Sequence, residues 1–176
     1  MSSNNIDTNS QLDYINRLIA ELFQDAQRIS HLLHQMGVRE SVIVALRHKH
    51  LQPYLSQLAQ CWQDVVRSEL PERHADIIIR RYALNNQPPP TLADMGDEYG
   101  ISRQRVQQLE QAGIKRLRSP RRRQLLQDMA LKAVWEVSGL SPAEVVLPVQ
   151  ASREFADGAM QPRQDVLSVV EHGSRE

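Results

Sequence analysis

Between Ile101 and Gln124 the chain carries Arg103, Arg105, Lys115, Arg116, Arg118, Arg121, Arg122 and Arg123, opposed by Glu110 alone. The formal net charge of the whole protein is zero, so the remainder must be acidic by the same amount. A segregated positive stretch, rather than the total, is the electrostatic footprint of a phosphate-binding surface. On charge alone a solvated basic helix face accounts for it equally well. The N-terminal end of the stretch carries more specific chemistry. Arg103, Gln104, Gln107 and Gln108 fall on one helical face that contains no apolar residue, while Val106 and Leu109 turn the other way. In a major groove, arginine bonds bidentately to guanine and glutamine to adenine.

Such side chains need a rigid mount, and the surrounding sequence supplies one. Thr91, with Asp94 three residues on, caps a helix whose Leu92, Met95 and Tyr99 face inward. Gly100 permits the left-handed backbone of a tight turn. Ser102 caps a second helix with Val106, Leu109, Ile114 and Leu117 as its buried face. Two helices joined through a glycine-containing turn form a helix-turn-helix, which places the first residues of the second helix in the major groove. The first-turn amides beside Thr91 and Ser102 are candidate phosphate holders. Upstream, Pro71-Glu72-Arg73 opens a short helix through Ile77, Ile78 and Tyr82, followed by the loop Asn85-Asn86-Gln87-Pro88-Pro89-Pro90.

From Ser10 the chain reads as one long helix to Met36. Apolar residues recur at Leu12, Ile15, Ile19, Leu22, Ala26, Ile29, Leu33 and Met36, an a/d heptad pattern. Leu18, Phe23 and Leu32 widen the stripe, which suits packing against two neighbours within the chain. A homodimer through the 10–36 helix is the competing expectation. Further helices are expected over 39–50 and from Pro53, the latter with Tyr54, Leu55, Leu58, Trp62, Val65 and Val66 inward.

Several function classes find no support. No apolar run approaches the roughly 20 residues of a membrane span. The first residues, MSSNNIDTNS, lack the pattern of a signal peptide, and a cytoplasmic protein is expected. The lone Cys61 has no disulfide partner in the chain. His31, His34, His48, His50 and His74 have no ligand spacing, so neither metal nor cofactor is expected. No nucleophile–base arrangement or phosphate loop points to an enzyme.

In order along the chain stand Leu70-Pro71-Glu72-Arg73, Arg81-Tyr82-Ala83-Leu84, Thr91-Leu92-Ala93-Asp94-Met95-Gly96, Ser102-Arg103-Gln104-Arg105-Val106-Gln107-Gln108-Leu109-Glu110 and Lys115-Arg116-Leu117-Arg118-Ser119-Pro120. This stretch resembles region 4 of sigma-70 family RNA polymerase sigma factors. The resemblance implies a bacterial protein that binds double-stranded promoter DNA at the minus-35 element and docks on the flap of the polymerase beta subunit. By position it implies base contacts from Arg103, Gln104 and Gln108, with Gln107 on the same face. Arg105, Lys115, Arg116, Arg118, Arg121, Arg122 and Arg123 would hold phosphate. Apolar residues of the module's first two helices would meet the flap.

The departures bear on specificity. The family usually carries Glu where Gln104 stands and Arg where Gln107 stands, and glutamine pairs with adenine where a carboxylate accepts from cytosine. Gly113 replaces the usual alanine, which either weakens that helix by about 1 kcal/mol or allows close packing. Nothing resembles region 2, so melting a promoter would require a separate region 2 subunit.

The expected architecture is therefore all-α: an N-terminal helical bundle over 1–68, a region 4-like domain with a trailing helix over 69–138, and a largely flexible tail over 139–176. Within that tail, Ser141-Pro142-Ala143-Glu144 is a candidate for one further turn. The expected function is a promoter-binding regulator or stand-alone region 4-like subunit. The competing expectation is a protein-binding module that engages the polymerase flap or an anti-sigma protein with little DNA affinity.

Overall fold

A computed structural model describes residues 6–147. Nine helices follow one another among these residues: α1 (Thr8–Leu22), α2 (Ile29–Gln35), α3 (Glu40–Lys49), α4 (Leu51–Glu69), α5 (Glu72–Arg81), α6 (Leu92–Tyr99), α7 (Arg103–Leu117), α8 (Pro120–Ser138) and α9 (Pro142–Val145). The architecture is all-α; among the described residues the one β pairing is an isolated antiparallel bridge between Val38 and Val146. None of the described helices is long and apolar enough to cross a membrane.

The long helix expected over 10–36 is two helices with a turn between them. Asp7 caps α1, accepting from the amides of Asn9 and Ser10. Phe23 leaves the helix in an extended conformation, and the Ala26 amide closes a turn on the Phe23 carbonyl. The amide of Ile29, unpaired at the start of α2, donates to Asn16 Oδ1 on α1 at 2.9 Å. The seam stays unbroken in sequence because the turn residues Phe23 and Ala26 are buried as well. Steps of three and four do not reveal a break when the turn itself buries its apolar residues. Ile15, Ile19, Leu22, Ala26, Ile29 and Leu33 are all buried within the monomer.

The central packing is α4 against α8. Trp62 is fully buried and donates from Nε1 to the Leu126 carbonyl at 2.8 Å. Opposite it, α8 contributes Leu126, Ala130, Ala133 and Val134, all without exposed surface. Small residues at 130 and 133 let the two helices approach closely. One hydrophobic core then runs from α1 through α4 into α5 and α7, joining Ile15, Leu18, Ile19 and Leu22 with Ile78, Tyr82, Ile114 and Leu117. The N-terminal helices and the helix-turn-helix segment thus share an interior.

Residues 139–147 turn back onto the N-terminal helices. Gly139 ends α8 at φ 66°, and a Ser141/Glu144 capping box starts α9. Val145 is buried, the Arg39 amide donates to its carbonyl at 2.9 Å, and the Leu147 amide donates to Gly37. The rest of the segment expected to be a tail, 148–176, lies outside the described residues.

Candidate nucleic-acid interface

The mount is a three-helix unit. α5 and α6 both pack on α7, with Ile77, Met95, Val106 and Leu109 forming a small core of their own. Two glycines set its shape. A Cβ on Gly96 would stand 2.7 Å from the Ile101 carbonyl, so only glycine lets α6 lie this close to the turn. Gly100 has φ 64°, the left-handed conformation that glycine adopts without penalty. Both helix starts are capped as expected. Thr91 and Asp94 form a reciprocal box, and Ser102 accepts from the Arg105 amide at 3.2 Å.

The box also holds the Asp94 carboxyl below the usual carboxylate range, chiefly through the Thr91 side-chain hydrogen bond. A lowered pKa here means that the cap persists as pH falls until it passes well into the acid range.

Gly113 lies on the buried face of α7. A Cβ there would meet Ile78 Cδ1 at 2.6 Å and His74 Cβ at 3.6 Å. Of the two consequences expected for this glycine, close packing of α5 on α7 is the one the geometry supports. Beneath the same crossing, Arg81 and Glu110 approach at 3.8 Å with side chains 15% and 9% exposed, and Arg81 Nη1 donates to the Pro90 carbonyl. Glu110, the one carboxylate among the basic residues, therefore serves the interior. Its place in an exposed-looking charge run concealed this from sequence reasoning.

On the outer side, Ser102, Arg103, Gln104, Arg105, Gln107 and Gln108 are all exposed. Arg105 Nη1 donates to Gln108 Oε1 at 3.1 Å, and Arg103 has no carboxylate within ion-pair distance among the described residues. Lys115 is exposed and continues the Gln104–Gln108 face by helical spacing. Arg116 is exposed along the edge that Arg105 begins. These two arginines flank His74, whose imidazole is held below the ordinary histidine pKa first by burial and then by Arg116 and Arg105.

The remaining basic residues face a different way. Arg118 bonds to Glu21 on α1, through Nε to the carbonyl at 2.7 Å and through Nη2 to the carboxylate at 3.1 Å. Arg122 Nε meets Glu69 Oε2 at 2.8 Å, and Arg121 Nη2 reaches the same carboxylate at 3.4 Å. Arg123 is half-buried. Thus 103, 104, 105, 107, 108, 115 and 116 share the outer surface of α7, while 118, 121 and 122 tie α7 and α8 to the N-terminal helices. Charge counting could not separate the groups, because the carboxylate partners lie 50 to 100 residues earlier.

A three-helix unit with a capped, glycine-turned pair and a polar second-helix face is a helix-turn-helix domain. Residues 68–119 match the family Sigma-70, region 4, and this segment is a sigma-70 region 4 domain. The RNA polymerase sigma-C factor of Nostoc sp. (strain PCC 7120 / SAG 25.82 / UTEX 2576) is 38% identical over 61 residues, which is 35% of this chain and 15% of that protein. The RNA polymerase sigma factor SigA of Lactococcus lactis subsp. cremoris is 35% identical over 65 residues, covering 37% and 18% respectively. The chain thus spans less than a fifth of the length of these curated relatives. No solved structure matches.

Proposed function

We propose that the protein is a promoter-binding transcription regulator that reads double-stranded DNA with the first two turns of α7. The observation that carries this reading is the exposed, wholly polar face of Arg103, Gln104, Gln107 and Gln108 on a capped helix held by a buried three-helix core. Arg103 would take guanine and the glutamines adenine. Thr91, Ser102, Arg105, Lys115 and Arg116 surround that face and would hold the phosphate backbone. Arg118, Arg121 and Arg122 would contribute little to DNA, since each already has a carboxylate partner. Binding of random-sequence duplexes, followed by fluorescence anisotropy across a range of salt, tests this. Steep weakening with salt supports it, and no binding at low salt contradicts it.

The second reading, a module that docks on polymerase or an anti-sigma protein with little DNA affinity, gains from the engagement of those three arginines. A polymerase contact through the apolar residues of α5 and α6 is opposed by their burial, since Ile77, Ile78, Ile79, Tyr82 and Met95 all lie in the chain's own core. A polymerase contact would have to use exposed polar residues instead, and would depend less steeply on salt than multiple phosphate contacts do.

A further inference from the structure

A groove of about 590 Å³ opens between α1 and the start of the helix-turn-helix, lined by Tyr14 and Arg17 from α1 together with Arg81, Thr91 and Arg103. Its place is fixed at three points along α1. Gln11 is buried and donates to the Asn86 side chain, the Arg17 guanidinium lies 5.4 Å from the Tyr82 ring centroid, and Glu21 holds Arg118. These contacts hold α1 against the loop before α6, the end of α5 and the end of α7.

The electrostatics of this groove are one-signed. Arg81 is compensated by Glu110. Arg17 and Arg103 have no carboxylate within ion-pair distance among the described residues. Of the acids on the flanking elements, Glu21, four residues on from Arg17, is paired with Arg118, Asp94 is turned back onto Thr91, and Asp13 lines a separate groove with Arg28 and Arg47. In helix-turn-helix docking the first helix of the pair crosses the DNA backbone while the second enters the major groove. A duplex seated on Arg103 and Gln104 would therefore carry its phosphates past Thr91 and along this groove.

We propose that α1, which lies outside the region 4 segment, extends the DNA interface, with Arg17 as a sequence-independent phosphate contact and Tyr14 as part of the same wall. This rests on the DNA-reading function proposed above. It makes the N-terminal helix a part of the binding surface as well as a support for the domain.

The test is the salt dependence of binding to a random-sequence duplex pool, with the full chain and its Arg17→Gln and Arg17→Lys variants. Thermal melts confirm that each variant folds. The proposal expects Arg17→Gln to weaken binding uniformly across sequences and to reduce the slope of log affinity against log salt by about 1, with Arg17→Lys retaining the slope. A wild-type slope in Arg17→Gln overturns it. So does an equal loss in Arg17→Lys, which would mean that stacking on Tyr82, and not charge, is what matters. If the wild type itself binds no DNA, the DNA-reading function fails and this extension fails with it.

Discussion

Arg118, which caps the C-terminal end of α7, donates from Nε to the main-chain oxygen of Glu21 at 2.7 Å, 97 positions earlier in the chain. A residue whose position in the sequence suggests phosphate is here a strut between α7 and α1. Because both side chains are about half exposed, the ion pair itself contributes at most about 1 kcal/mol. Glu21→Ala should therefore lower the melting temperature only slightly. It should also leave Arg118 uncompensated and steepen the salt dependence of DNA binding. Calorimetry beside anisotropy checks both, and an unchanged salt slope would mean that Arg118 stays away from the backbone.

The α4–α8 contact predicts a larger loss. Trp62→Phe removes the indole N–H that donates to the Leu126 carbonyl, which keeps its partner within α8, and leaves space where the larger ring was. We expect a cost of about 1.5 to 3 kcal/mol, from one lost buried hydrogen bond plus a cavity. Urea unfolding measures it, and a loss below about 0.5 kcal/mol would deny that this packing is central.

Ala83 sits at φ 54° in the turn after α5 and is fully buried. An L-residue in this region carries a steric penalty of about 1 to 2 kcal/mol that glycine escapes, offset in part by the greater freedom of an unfolded glycine. The buried methyl that Ala83→Gly also removes offsets about 0.8 kcal/mol, so stability should stay within about 0.5 kcal/mol of the wild type. A loss of more than about 1 kcal/mol in urea unfolding would contradict the left-handed assignment.

His74 makes stability depend on pH. Its folded pKa is depressed by burial and by Arg116 and Arg105, so below the ordinary histidine value the unfolded chain takes up a proton that the folded chain declines. Its contribution is present above that value and is lost as pH falls toward the lowered folded pKa. The wild type should lose stability between pH 7 and pH 5.5 more steeply than His74→Gln. Parallel melting curves for the two proteins would remove His74 as the source.

The helix-turn-helix was legible because its signals are local. Thr91 with Asp94, Gly100 and Ser102 each act within a few residues, and the structure uses them as caps and turn. The break at Phe23 was hidden because its turn residues keep the apolar spacing of the helices around them. The fates of Arg118, Arg121 and Arg122 were hidden because Glu21 and Glu69 are distant in sequence. Arg17 gave no signal at all: it is one arginine on a polar face, and only the fold brings it beside Arg103 and Thr91.

The central claim is that the first two turns of α7 read bases. Selection from a random duplex pool, run in parallel with the wild type and an Arg103→Ala/Gln108→Ala variant, tests it most directly. The account predicts one enriched motif containing guanine and adenine steps for the wild type, and loss of that motif with residual salt-sensitive binding for the variant. The same motif enriched by both proteins, or by neither, would contradict it.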